Sequence, residues 1–222
     1  LRFGLLPVLF DGLSPARFGL NFVFLRGTVQ PSSIARYTYT THSYVKCFLN
    51  VPRLSGTSDI VPVTFYKETL EMANQTLEPD KEIAVCGSFR SYRENEHNIF
   101  TVLVNNFVLN SSDENATRVQ RTGVLKNKAT VRTTPLGSQI ADVTLSVPTE
   151  TGNKAILPCI FWGYNAHVAE TLNPGDLISL TGRFQSREYQ KRFSDLQEPI
   201  LRRAYEVSVS HIVKTELQHS AN

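Results

Sequence analysis

The chain has 222 residues, 41% of them apolar and 19% charged, with a formal net charge of +3. That content supplies two small hydrophobic cores and excludes a disordered chain, and no run of about 18 apolar residues is present to cross a membrane as a helix. A charge so close to neutrality says little about partners by itself.

Residues 1–20 are read as a mobile N-terminal extension, because their apolar start is followed by no small-residue cleavage site of a signal peptide. Period-two alternation of β-branched and aromatic residues then predicts strands over Phe22–Gln30, Ser43–Val51, Ile60–Tyr66, Glu82–Tyr92 and Ile99–Leu109. Glu68 to Leu77 has helical character, and Glu78-Pro79-Asp80 stops it. The polar stretch Asn110 to Gln120 reads as a linker. Five more strands follow over Val124–Thr133, Gln139–Val147, Ala155–Trp162, Leu177–Tyr189 and Leu201–Val213. A short helix, capped by Asn165 and running through Leu172, sits after the third of these and ends at Asn173-Pro174-Gly175-Asp176.

The two sets of strands are copies of one unit. Leu49-Asn50-Val51-Pro52 returns as Leu145-Ser146-Val147-Pro148, an offset of 96 that also pairs Gly56 with Gly152, Ile60 with Ile156, Pro62 with Pro158 and Phe65 with Phe161. One deletion moves the offset to 95, pairing Leu77, Pro79, Gly87 and Phe89 with Leu172, Pro174, Gly182 and Phe184. From the fifth strand it is 105, so the segment joining strands four and five is ten residues longer in the second copy. A spacing near one hundred is a whole domain. Five strands with a helix after the third are the plan of the OB-fold, so the expected architecture is all-β: two tandem five-stranded Greek-key barrels. The boundaries expected are 1–20 extension, 21–110 first barrel, 111–121 linker and 122–216 second barrel.

The three cysteines, Cys47, Cys86 and Cys159, are too few for a disulfide framework and are expected to be reduced and buried. Three Asn-x-Ser/Thr patterns are discounted as chance. The five histidines are isolated and no pair has metal-ligand spacing; there is no Cys-x-x-Cys, phosphate-cradling glycine loop or Gly-x-Ser-x-Gly elbow. Neither a metal, a cofactor nor catalysis is expected.

Alternate side chains of a barrel wall face outward. If Leu157, Cys159 and Phe161 point in, then Ile156, Ile160 and Trp162 point out, with Tyr66 at the place of Trp162 in the first copy. If Phe184 and Ser186 point in, then Gln185, Arg187 and Tyr189 point out, and their counterparts are Arg90, Tyr92 and Glu94. Tyr44, Lys46 and Phe48 face outward on the second strand of the first copy. Rings interleaved with cations suit an unpaired nucleic-acid strand: each ring stacks a base for about 1–3 kcal/mol and each cation neutralises a phosphate. Candidate nucleic-acid-binding residues are Trp162, Tyr189, Arg187, Arg183, Lys128, Arg132 and Arg202 in the second copy, and Tyr66, Tyr92, Arg90, Lys46 and Phe48 in the first.

Phe161-Trp162-Gly163, the short helix, Leu172 to Asp176 and the stretch from Gly182 to Tyr189 resemble the bacterial single-stranded DNA-binding protein family. Its members carry an aromatic-glycine pair ending strand three and a Gly-x-Leu-x-Thr-Arg-x-Trp stretch on strand four. The resemblance is good over Thr122 to Lys214 and looser over Phe22 to Asn110. It implies base stacking at Trp162 and Tyr189, a phosphate contact at Arg187, and sequence-independent binding of single-stranded DNA in replication, repair or recombination. Four barrels per assembly, usual in the family, imply a homodimer, in the cytoplasm with the nucleoid. A further family stacking position falls on Ile156 and Ile60, and Glu94 stands where an aromatic is expected. No acidic C-terminal tail for recruiting replication and repair proteins is seen. An RNA-binding or protein-interaction OB module, such as a primosome-like accessory, is the competing reading.

Overall fold

The computed structural model describes residues 22–39, 41–94, 97–109, 116–149, 154–191 and 200–215. The expected extension over 1–20, most of the expected linker and the segment joining the last two strands lie outside the described residues.

The first copy runs β1 (Phe22–Val29), β2 (Ala35–Tyr39), β3 (His42–Pro52), β4 (Ser58–Tyr66), α1 (Lys67–Met72), β5 (Glu82–Glu94) and β6 (His97–Leu109). The second runs β7 (Thr117–Leu125), β8 (Val131–Thr133), β9 (Gln139–Pro148), β10 (Lys154–Trp162), α2 (Tyr164–Thr171), β11 (Leu177–Lys191) and β12 (Ile200–Lys214). Strand order is β2-β3-β4-β6-β5-β1 in one and β8-β9-β10-β12-β11-β7 in the other. Each closes on itself, through Val29 opposite Leu49 and Leu125 opposite Leu145. The pairs β4–β6 and β10–β12 are parallel, the remaining neighbours antiparallel. These are two OB-fold barrels, the fold class expected from the strand pattern.

Three local expectations are corrected. The first strand of the second copy begins at Thr117 instead of Val124, so residues 117–121 are strand and not linker. It also breaks after Leu125 and resumes as β8, because it must pair first with β11 and then bend onto β9. At that corner the Lys126 N–H donates to the Thr144 carbonyl at 2.9 Å, and Asn127 Oδ1 accepts the Thr144 N–H at 2.7 Å. In the first copy the Gln30 N–H and Ser33 Oγ do the same for Phe48. The helices differ too. α1 ends at Met72 rather than Leu77, and Asn74 beyond it takes a left-handed φ of 50°. α2 starts from Gly163, at φ 54°, while the Asn165 amide donates to the Ser210 carbonyl instead of capping. The extra length of the second copy lies partly in its strands: β11 and β12 have 15 residues each against 13 in β5 and β6.

Alternation sets the core. On β9, Ala141, Val143, Leu145 and Val147 are buried; on β10, Ala155, Leu157, Cys159 and Phe161 are. The same cross-strand pair recurs inverted, with Cys47 opposite Val63 in one barrel and Val143 opposite Cys159 in the other. Exchanging two side chains of similar volume across one contact leaves packing unchanged. Both barrels have a bulge on the fourth strand, at Cys86/Gly87 and Thr181/Gly182. A Cβ on Gly87 would lie 2.0 Å from the Leu103 carbonyl oxygen, and one on Gly182 would lie 2.3 Å from that of Ser208, so only glycine lets the fifth strand cross this closely.

The barrels are joined edge to edge. β1 pairs antiparallel with β7, from Phe22 opposite Gln120 to Leu25 opposite Thr117, giving a continuous sheet β6-β5-β1-β7-β11-β12. Inside this junction Phe89 and Phe184, equivalent in the repeat, meet with centroids 5.0 Å apart; Phe100 stacks on Phe89 at 5.1 Å and Tyr205 lies 6.1 Å from Phe184. One hydrophobic core therefore runs through both copies. Arg121, buried at the place held by Leu25 in the first copy, lies 5.8 Å over Phe89 and donates to the Pro148 carbonyl.

All three cysteines are free and buried, as expected. Burial pushes the thiol of Cys47 from 9.0 up to about 12 and that of Cys86 to about 11, and raises Cys159 further. The folded state therefore disfavours the thiolate, and this contribution to stability is complete below the unfolded value of 9.0 and is lost as pH rises from there through the folded values. Alkylation at pH 8 should label none of the three in the native protein within the time that labels all three in denaturant.

Candidate nucleic-acid interface

On the second barrel the strand-to-helix junction presents rings to solvent. Trp162 ends β10 and is 42% exposed; the left-handed Gly163 turns the chain sharply, and Tyr164, opening α2, is 82% exposed. Ile156, six residues before Trp162 and on the same outward parity, is 48% exposed and adds an apolar side chain along β10. Tyr164 was not anticipated, although an aromatic directly after Trp162-Gly163 is the signal that pointed to it.

The second group lies on the arm formed by β11 and β12 beyond the bulge. Arg187 and Tyr189 are exposed, and the guanidinium of Arg187 sits 5.8 Å over the Tyr189 ring. Arg202 lies opposite Tyr189 in the ladder, and Arg203 is paired with Glu188. Gln185, expected outward and free, is buried: its amide donates to Glu206 at 2.8 Å and its oxygen accepts from Arg183 at 2.9 Å. A polar side chain at a junction of two barrels is tolerated there because it is fully hydrogen-bonded. Arg183 faces, with the exposed Arg118, an open hollow of about 550 Å³ lined by hydroxyls of Thr117, Thr181, Ser208 and Ser210.

Two expected cations are otherwise engaged. The Lys128 ammonium donates to the Leu172 carbonyl at 2.8 Å and to Asn173 Oδ1 at 3.1 Å, closing the C-terminal end of α2. Arg132 donates from Nε at 3.0 Å and Nη2 at 2.7 Å to one oxygen, Oδ2, of Asp142 on the surface.

In the first barrel the rings gather on each other. Tyr44 is 5% exposed because Tyr37 stacks on it at 5.3 Å and Tyr66 lies against it at 5.1 Å, with His42 edge-on to Tyr44 and Tyr66. The cations join this cluster: Arg90 sits 5.8 Å from the Tyr44 ring and Lys46 5.5 Å from that of Tyr37. Phe48 and Tyr66 are half-buried, and desolvation raises the Tyr66 phenol above its ordinary value. The ladder sets Tyr92 opposite Ile99; its side chain is outside the described residues. The structure thus brings Tyr66, Arg90 and Lys46 together around Tyr44, and Arg187, Tyr189 and Arg202 together on the arm.

Residues 116–213 match the model of the single-strand binding protein family. The second barrel is thus similar to that family over nearly its whole length. The wild-type single-stranded DNA-binding protein from Thermus aquaticus is similar over 91% of this chain and 96% of its own, at 20% identity and a TM-score of 0.70. A deletion mutant of the same protein gives 20% identity, 91% and 98% coverage and a TM-score of 0.66. At that identity the likeness shows the tandem-barrel fold. No curated protein matches the chain in sequence. The matched family is, by its description, one of binding proteins. Among the described residues no group of His, Cys, Asp or Glu is arranged to hold a metal ion.

The contrast between engaged and free cations is measurable. Lys128→Met should lower the melting temperature by about 2–4 °C, since loss of the helix-end contacts costs about 1 kcal/mol in a chain of this size. Arg187→Met, which loses only the contact to the Tyr189 ring, should leave it within about 1 °C; equal losses in differential scanning calorimetry would refute the distinction.

Proposed function

We propose that this protein coats single-stranded DNA without sequence preference, keeping it unpaired for replication, repair or recombination. The single observation carrying this reading is that the barrel matched by the family model exposes Trp162 and Tyr164 at the end of β10 and, on its arm, Tyr189 beside Arg187 and Arg202. Rings at these positions accept any base on a π-face, and unpaired guanidinium groups follow the phosphates, so affinity does not depend on base identity.

Trp162 and Tyr189 stack bases, while Arg187, Arg183 and Arg202 neutralise phosphates. On the first barrel Tyr66, Tyr92 and Phe48 supply rings and Arg90 and Lys46 supply charge. That side is the weaker binder, because its rings and cations already satisfy each other around Tyr44. Two copies associate to give the four barrels usual in the family, working on DNA in the cytoplasm, with replication and repair proteins as further partners. Sedimentation should give twice the chain mass; a stable monomer would overturn the assembly.

Trp162 is the one tryptophan, so its fluorescence reports binding at its own position. Titration with a dT oligomer should quench it, with an affinity that falls steeply as salt rises. Trp162→Ala and Tyr189→Ala should each weaken binding by about 1–3 kcal/mol without lowering the melting temperature. Arg187→Gln should reduce the slope of log affinity against log salt by about 0.7. No quenching at low salt, or a preference for U over dT oligomers, would refute the DNA reading and favour an RNA or protein ligand.

A further inference from the structure

Strand β11 loses a neighbour halfway along its length. Its pairing with β7 ends at Gly182 opposite Val119, yet β11 continues to Lys191, so among the described residues no strand is paired to that edge of the arm that carries Arg187 and Tyr189. Unpaired edge groups must be satisfied in some other way. Side chains do this here. The Phe184 N–H donates to Thr117 Oγ1 at 3.0 Å. The Ser186 N–H donates to Asp59 Oδ1 at 2.7 Å, and the Ser186 carbonyl accepts from Arg53 Nη2 at 3.0 Å. Ser186 Oγ accepts the Ile60 N–H at 3.0 Å. Asp59 is 1% exposed and is gripped by the fork of Arg53, its Oδ2 2.8 Å from Arg53 Nε and its Oδ1 bonded to Nη2.

Arg53, Asp59 and Ile60 belong to the first barrel, Ser186 to the second. Residues 187–190 that follow it are exposed. The clamp thus grips the half-buried residue that directly precedes the rings and cations of the proposed site. It is also one-sided. In the repeat, Ala155 stands where Asp59 does and Thr149 where Arg53 does, so the equivalent arm residue Ser91 faces no carboxylate and no guanidinium from those two positions.

We propose that Asp59, oriented by Arg53, is a positioning residue: from the first barrel it fixes the arm of the second so that Arg187 and Tyr189 are held in place for an unpaired nucleic-acid strand. This rests on the proposed function, since the strand is the ligand the arm would meet. Holding the arm before binding removes an ordering cost that a loose arm would pay on each encounter. The first barrel therefore contributes to binding at the second without touching the ligand there.

The test is a double-mutant cycle on the whole chain with a dT oligomer. In the wild type Tyr189→Ala should lose about 5- to 150-fold in affinity, the range expected for one stacked base. In an Asp59→Ala background, which reproduces the other side of the repeat, the same change should lose at least fivefold less, while the Trp162→Ala loss stays as it was. Hydrogen exchange without DNA should show the Ser186 N–H protected in the wild type and exposed in the variant. An unchanged Tyr189→Ala loss, or a Ser186 N–H still protected, would overturn the proposal. Should Asp59→Ala not fold, Arg53→Lys, which keeps the charge and loses the fork, is expected to give the same two effects at smaller size, and their absence refutes it equally. If the wild type binds no dT oligomer, the proposed function fails; the hydrogen-exchange arm then still decides whether the clamp orders the arm.

Discussion

The structure depends on one piece of strand pairing, β1 against β7. Each of these strands already serves its own barrel twice, lying beside the fourth strand and closing on the second, and each then lends its remaining edge to the other copy over Phe22–Leu25 and Thr117–Gln120. That pairing removes an exposed edge from both barrels at once. It also brings the two fourth strands close enough for Phe89 and Phe184 to meet, so the copies share a core and a surface that neither has alone.

Two kinds of divergence separate the copies. Inside the barrels the changes are compensated, as where a cysteine and a valine have traded places across one ladder contact, because close packing fixes the summed volume and not the owner of each atom. On the outer walls no such sum applies. The first copy has accumulated rings and cations that pack against one another around Tyr44, and the second has left its ring at Trp162 open and moved its free charge to the long arm. A duplicated binding unit thus becomes an unequal pair without any change of fold.

Charge on a strand is not the same as charge available to a ligand. Lys128 and Arg132 lie in a sequence stretch with Arg118, Arg121 and Lys126, yet one closes a helix and the other neutralises an aspartate. Among the described residues no carboxylate pairs with Arg187 or Arg118, and that difference comes from where the acids fall after folding, not from the density of basic residues along the chain.

The sequence by itself determined the duplication, the strand parity, the helix after each third strand and the inward or outward address of residues such as Phe161, Trp162 and Tyr189. These follow from periods of two and from offsets of 96 and 95, which are local or self-referential quantities. Only the tertiary structure decided that Gln185 is buried, that Tyr44 lies beneath Tyr37 and Tyr66, that β7 starts at Thr117 and that Asp59 reaches Ser186. Each of those facts is a contact between residues far apart in the chain or in different copies, and pairing across a junction leaves no periodic trace in either partner's own sequence.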